Sequence, residues 1–250
     1  MSLFKNTVKH ALFSLSLLSV SVAALAAGEP IKAVTDATFP PMEFTENQKM
    51  TGFDIELTEA IAKKLDRAVQ WTNVDFKGLI PSLTAGRADI AVSAIYITPE
   101  RQQVVSFTEP YLAGGLVALV KEGNTAINSA DDLKGKKISV QTGTKSVEWL
   151  RSHIPDAEAV EVEKNQQMFN LVSIGRADAA ITGKPAAFQY ARTRGGVKIL
   201  PGSLTTEEYG IAVRKDKADL VSEMNQALEQ LKADGTYQKL VDKWFPGSSQ

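Results

Sequence analysis

The phrase Gly-Arg-Ala-Asp occurs twice in this chain, at residues 86–89 and 175–178, 89 positions apart. Each copy follows a segment of helical character, "FKGLIPSLTA" or "NQQMFNLVSI", and each precedes a short apolar run, "IAVSAI" or "AAIT". A glycine just past a helix takes the left-handed conformation that ends it, and a polar turn then feeds a buried strand. The phrase is therefore helix-stop punctuation. Its repetition predicts two copies of one helix-turn-strand unit, one in each of two lobes.

The flanking pattern agrees. Before the first copy, "IKAVTDA" (31–37) reads as a strand and "GFDIELTEAIAKKLD" (52–66) as an amphipathic helix with Phe53, Leu57, Ile61 and Leu65 on one stripe. "AVQWTNVD" follows as a strand. Before the second copy, "KKISVQTG", "SVEWLRSH" and "EAVEVE" read as strand, helix and strand. Strands alternating with helices predict an α/β fold with mostly parallel sheets. The tail gives a strand at 209–214, a long helix with Leu220, Met224, Leu228 and Leu231 on one face, and a terminal helix after Asp234-Gly235. With 250 residues, 44% of them apolar, the chain can fill two modest cores. Loops at the carboxyl ends of such strands hold ligands, here "SAIYITPER" and "TGKPAAF".

Residues 1–26 read as a secretory signal peptide: Lys5 and Lys9, then an apolar run, then Ala24-Leu25-Ala26 as the cleavage signal. The mature chain, from Ala27, is mildly acidic, since removing two lysines turns a formal charge of −1 into about −3. That balance excludes the basic footprint that holds nucleic acid or anionic lipid. Without cysteine there is no disulfide, thiolate metal site or lipidated N-terminal Cys. No P-loop, GxSxG, HExxH or GxGxxG motif is present. The expectation is a free periplasmic protein without metal or cofactor; no membrane segment follows Phe245, against a tethered sensor.

The segments "DATFPPMEF" (36–44), "GFDIELTEAIAKKL" (52–65), "GLIPSLTAGRADIAVSAIYITPERQQVVSFTEPY" (78–111), "VQTGTKSVE" (140–148), "YGIAVRK" (209–215) and "GTYQKLVDKWF" (235–245) resemble bacterial periplasmic solute-binding proteins of the polar amino-acid ABC transporter family, glutamine-binding proteins in particular. The resemblance implies two Rossmann-like lobes joined by a two-strand hinge, the type II periplasmic binding fold. Lobe one would comprise residues 30–112 and 209–250, and lobe two residues 113–208. It also implies a monomer that closes on a small carboxylate and delivers it to an inner-membrane ABC permease. By the same resemblance, Arg101 clamps the ligand carboxylate through its planar fork. Asp36, Phe39 and Phe76 line the pocket, Ala94 and Tyr96 belong to the same wall, Gln141 reads the ligand, and Thr144 meets the carboxylate at a helix N-terminus.

Three positions depart from the family pattern. Gly183 stands where relatives place an Asp for the ligand's α-ammonium, Tyr96 replaces a small hydroxyl residue, and Lys145 replaces a glycine. A buried ammonium without partners costs several kcal/mol. The expected ligand is a small carboxylate, a polar amino acid or an amino-acid-like compound; the departures make a plain α-amino acid the poorer fit and point to a compound whose nitrogen is absent, acylated or alkylated, or to a dianion held by Arg101 and Lys145, and Gly183→Asp is expected to improve binding of ordinary amino acids. The alternative on this scaffold is an enzyme resembling cyclohexadienyl dehydratases, with Lys145, Glu43 and Tyr96 as its acid-base candidates. His153 reads as a solvated helix residue.

Overall fold

The computed structural model describes residues 28–246; the leader read over 1–26 lies outside them. The chain runs through β1 (Gly28–Thr35), a small antiparallel meander of β2 (Thr38–Phe39), β3 (Glu43–Glu46) and β4 (Lys49–Thr51), then α1 (Phe53–Lys64), β5 (Arg67–Asn73), α2 (Leu79–Thr84), β6 (Ile90–Ala91), α3 (Pro99–Val104) and β7 (Ser106–Phe107). After β8 (Leu112–Ala113) come β9 (Leu116–Lys121), β10 (Lys137–Gln141), α4 (Lys145–His153), β11 (Glu158–Val162), α5 (Asn165–Ser173), β12 (Ala179–Gly183), α6 (Lys184–Arg194) and β13 (Val197–Ile199). The chain returns through β14 (Glu208–Tyr209) to β15 (Ala212–Val213), α7 (Ala218–Ala233) and α8 (Thr236–Trp244).

Two five-stranded sheets result, ordered β5-β1-β6-β15-β7 and β11-β10-β12-β9-β13. They are one topology written twice. In each, three parallel strands stand in the order second, first, third, followed by an antiparallel strand that has just crossed from the other lobe. The crossing itself is a pair of strands, β8 against β14, with Tyr209 opposite Leu112 and a further bridge from Tyr209 to Tyr96. Burial follows the expected stripes: Phe53, Leu57 and Ile61 of α1 and Leu220, Met224, Leu228 and Leu231 of α7 are all inside.

The repeated phrase does the same work in both lobes. Gly86 (φ +69°) follows α2 and Gly175 (φ +73°) follows α5, each in the left-handed region, and the next residue's N–H reaches back to the carbonyl of Ser82 or Leu171. The aspartates add a function that helix-stop logic does not predict. Asp89 donates its N–H to Lys32 O and accepts the Lys32 N–H at Oδ2 (3.0 Å), and Asp178 exchanges the same two bonds with Lys137 (2.8 Å for the side-chain bond). Each phrase thus locks the third parallel strand of its sheet to the first.

Candidate functional site

The parallel strands of both sheets end at a common cleft, as open α/β sheets place their binding loops. Residues leaving β1, β5, β6, β10 and β12, with the meander, wall a cavity of about 30 Å³. That is the room of one or two waters, so a ligand of amino-acid size enters only when the lobes part. Nine of the ten residues expected at the site stand in this wall: Asp36, Phe39, Phe76, Ala94, Tyr96, Gln141, Thr144, Lys145 and Gly183.

The tenth, Arg101, stands one layer back. Thr98 caps α3 by accepting the Arg101 N–H, and Pro99 occupies the first turn. The guanidinium lies 5.7 Å from the Phe76 ring centroid and donates through Nη1 to the Tyr96 carbonyl at 2.9 Å. Burial lowers its pKa from the ordinary value, so Arg101 is a partly desolvated cation behind one aromatic wall of the cavity. Opposite, Thr144 opens α4 with its hydroxyl donating to the Gln141 carbonyl at 2.7 Å. The helix N-terminus is thereby directed at the cavity beside Ser146 and Lys145, a favourable place for an anion.

The acidic residues of the wall are all engaged within the protein. Asp36 accepts bonds from Gln141 Nε2 at 2.7 Å, Thr38 Oγ1 at 3.0 Å and Lys164 Nζ at 3.2 Å. Burial raises its pKa above the ordinary value despite Lys164. Lys164 is also raised; burial would lower it, but its bonds to Asp75 (2.7 Å) and Asp36 prevail. The Asp36 side chain is 2% exposed and that of Lys164 34%, so most of the desolvation in the pair falls on Asp36. Lys77 meets Glu163 at 2.6 Å nearby, so several charged contacts cross the cleft. Glu43 accepts from Ser93 Oγ at 2.8 Å, and Asp54 behind it accepts from the Ala94 N–H at 2.7 Å and from Tyr111 Oη at 2.9 Å. Asp54 thereby holds Ala94 at φ +44°, a strained conformation in the cavity wall.

At Gly183 the geometry revises the expectation for a restored acid. A Cβ there would lie 2.5 Å from Tyr209 Oη, 3.2 Å from Phe39 and 3.3 Å from Tyr96 Oη. Tyr96 and Tyr209 stack at 4.5 Å with hydroxyls 2.9 Å apart, and burial raises the pKa of both. A neutral hydroxyl pair thus fills the space an aspartate would need. Lys145, 17% exposed, pairs with Glu148 at 2.8 Å. His153 stacks on Trp149 at the exposed end of α4.

Sequence reasoning did not select Ser93, Ser146, Asn165, Thr182 or Tyr209 as wall residues. Ser93 carried a signal, a polar residue inside the apolar run "IAVSAI"; Tyr209 carried none, because the crossing strand that brings it back is far away in sequence. Among the described residues no cluster of three or more His, Cys, Asp and Glu is placed to hold a metal, and no helix is long and apolar enough to cross a membrane.

Residues 31–247 match the profile of bacterial extracellular solute-binding proteins, family 3. The chain is 34% identical over 237 residues to ABC transporter arginine-binding protein 1 of Escherichia coli (strain K12), covering 92% of this chain and 97% of that one. Among solved structures it resembles an ancestral arginine-binding protein bound to arginine (TM-score 0.84, 40% identity, 88% and 99% of the two chains). It also resembles an ancestral amino acid-binding protein described as a precursor of cyclohexadienyl dehydratase (TM-score 0.82, 39% identity, 86% and 95%). The family profile and the arginine-binding relative describe binding proteins rather than enzymes.

Proposed function

This chain belongs to the bacterial extracellular solute-binding proteins, family 3, and from that membership we propose that it is a periplasmic receptor that closes on a small carboxylate and hands it to an inner-membrane ABC importer. In this reading residues 1–26 direct export and are removed, and the mature protein acts as a monomer. Lobe one comprises 30–112 and 209–250, and lobe two 113–208, in keeping with the composition of the two sheets. The ligand is an amino acid-like compound without a free α-ammonium. Its carboxylate would lie at the α4 N-terminus with Arg101 swinging in, and its stem between Phe39 and Phe76.

The observation that carries the choice of ligand is the tyrosine pair at Gly183. No carboxylate stands there, while Asp36 is met by Lys164, and Glu43 is turned to Ser93 and Asp54. The dianion form of the reading has weaker support, because Glu148 already neutralises Lys145. The receptor reading is preferred to the dehydratase for a related reason: Lys145 is paired with Glu148, and Tyr96 is hydrogen-bonded to Tyr209.

Thermal melting of the ligand-stripped protein against free amino acids, their N-acyl and keto forms, and small dicarboxylates tests this. A true ligand at about a hundredfold excess over Kd adds roughly 2.7 kcal/mol, on the order of 5–10 °C. A panel without any shift would contradict the receptor reading.

A further inference from the structure

Glu43 and Asp54 are both buried, 1% and 0% exposed. Each has one oxygen, Glu43 Oε2 and Asp54 Oδ1, that no donor among the described residues reaches, and the other oxygens are held by adjacent residues, that of Glu43 by Ser93 Oγ and that of Asp54 by the Ala94 N–H. An ionised carboxylate only accepts, so the two unpartnered oxygens can satisfy one another only if one of the carboxyls carries a proton. The remaining partners say which. Asp54 receives two donors at its other oxygen, the Ala94 N–H and Tyr111 Oη, whereas Glu43 receives one, Ser93 Oγ, itself occupied by the Asp36 N–H at 3.1 Å. More donors stabilise the charged form on Asp54.

Among the described residues no Lys or Arg is paired with either carboxyl to replace the proton. Facing the pair are Asp36 from the end of β1, Tyr111 from the segment before β8 and Tyr209 from β14. Lys164, which reaches Asp36, is shared with Asp75. Two adjacent buried carboxyls in such surroundings cannot both ionise near neutrality.

We propose that Glu43 and Asp54 hold a single proton between them, with Glu43 as the acid, so that Glu43, the member of the pair that lines the ligand cavity, presents it with a neutral carboxyl while the negative charge stays behind it on Asp54. This deepens the receptor reading above and rests on it for its meaning. An ionised Glu43 in the cavity wall would offer a cationic ligand nitrogen the partner that Gly183 withholds; a protonated Glu43 does not. The same proton joins the cavity to the hinge, because Asp54 is bonded to Tyr111, whose N–H donates to Tyr209 O and whose ring stacks on that of Tyr209.

The test needs no ligand. Side-chain carboxyls of the purified protein are followed by ¹³C NMR over a pH titration. At pH 7 one carboxyl should keep the resonance of a neutral acid, titrate above the ordinary carboxylate range, and be missing from Glu43→Gln. Asp54→Asn, should Glu43→Gln fail to fold, should lower the pH at which that resonance titrates, by removing its anionic neighbour. Finding every Glu and Asp ionised at pH 7, or the acid resonance unchanged in Glu43→Gln, overturns the inference. A ligand panel without a binder would overturn the receptor reading and leave this titration as it is.

Discussion

Asp36, at the end of β1, accepts a 2.7 Å hydrogen bond from Nε2 of Gln141, at the end of β10. The lobes therefore touch through two side chains that also line the cavity, and whatever enters must negotiate that contact. Asp36→Ala removes it together with the Lys164 contact. Because Asp36 is buried and Lys164 is a third exposed, the cost should be about 1–3 kcal/mol rather than the full value of a buried ion pair. Small-angle scattering should show a larger radius of gyration as the lobes separate more often; an unchanged radius and melting temperature would contradict this.

Gly183 permits the approach of the two tyrosine hydroxyls. Gly183→Ala should disfavour closure by about 1–3 kcal/mol, the usual cost of overpacking, seen as weaker ligand binding with the separate lobes still folded. Gly183→Asp alone should fail to create tight binding of ordinary amino acids, since its side chain meets Tyr209 first. A gain in their affinity from that single change would show that the tyrosines yield easily.

Arg101 supports Tyr96 and Phe76, and in the proposed reading it anchors the ligand carboxylate. Arg101→Ala should cost roughly 2–5 kcal/mol of ligand binding, as for a buried hydrogen-bonded charge. Arg101→Lys should recover little of it, because an ammonium cannot reproduce the planar fork. Calorimetric titration of both variants checks this, and near-wild-type affinity in the alanine variant would rule out the anchor.

Burial raises the Glu43 pKa well above its ordinary 4.5. The folded protein then binds more protons than the unfolded chain once pH exceeds 4.5, so this group's contribution to stability falls as pH rises through the folded-state titration. Glu43→Gln, which mimics the neutral acid, should melt within a few degrees of wild type at pH 5 and above it at pH 8. Parallel melting curves for the two proteins across that range would contradict the sign.

Much of this was legible in the residues. The helix stops at Gly86 and Gly175, the stripes of α1 and α7, and the Thr98-Pro99 start of α3 are local chemistry, and local chemistry is what a sequence displays. The meander β2–β4 was harder, since two- to four-residue strands carry too little alternation to register. Tyr209 and Asp54 become site residues only through contacts 113 and 40 positions away, with Tyr96 and Ala94. The obstacle at Gly183 is likewise tertiary. A missing aspartate can be read from sequence, but the tyrosines that occupy its space appear only once the lobes meet.

The most direct measurement is calorimetric titration of the stripped protein with matched ligands, L-glutamine and L-arginine beside their N-acetyl and 2-oxo counterparts. Binding of a blocked or nitrogen-free form at least about tenfold tighter than its parent amino acid, or 1.4 kcal/mol, is the predicted result. Tighter binding of the free amino acid would contradict it, and would mean that an ammonium finds an acceptor in the closed cleft despite Gly183.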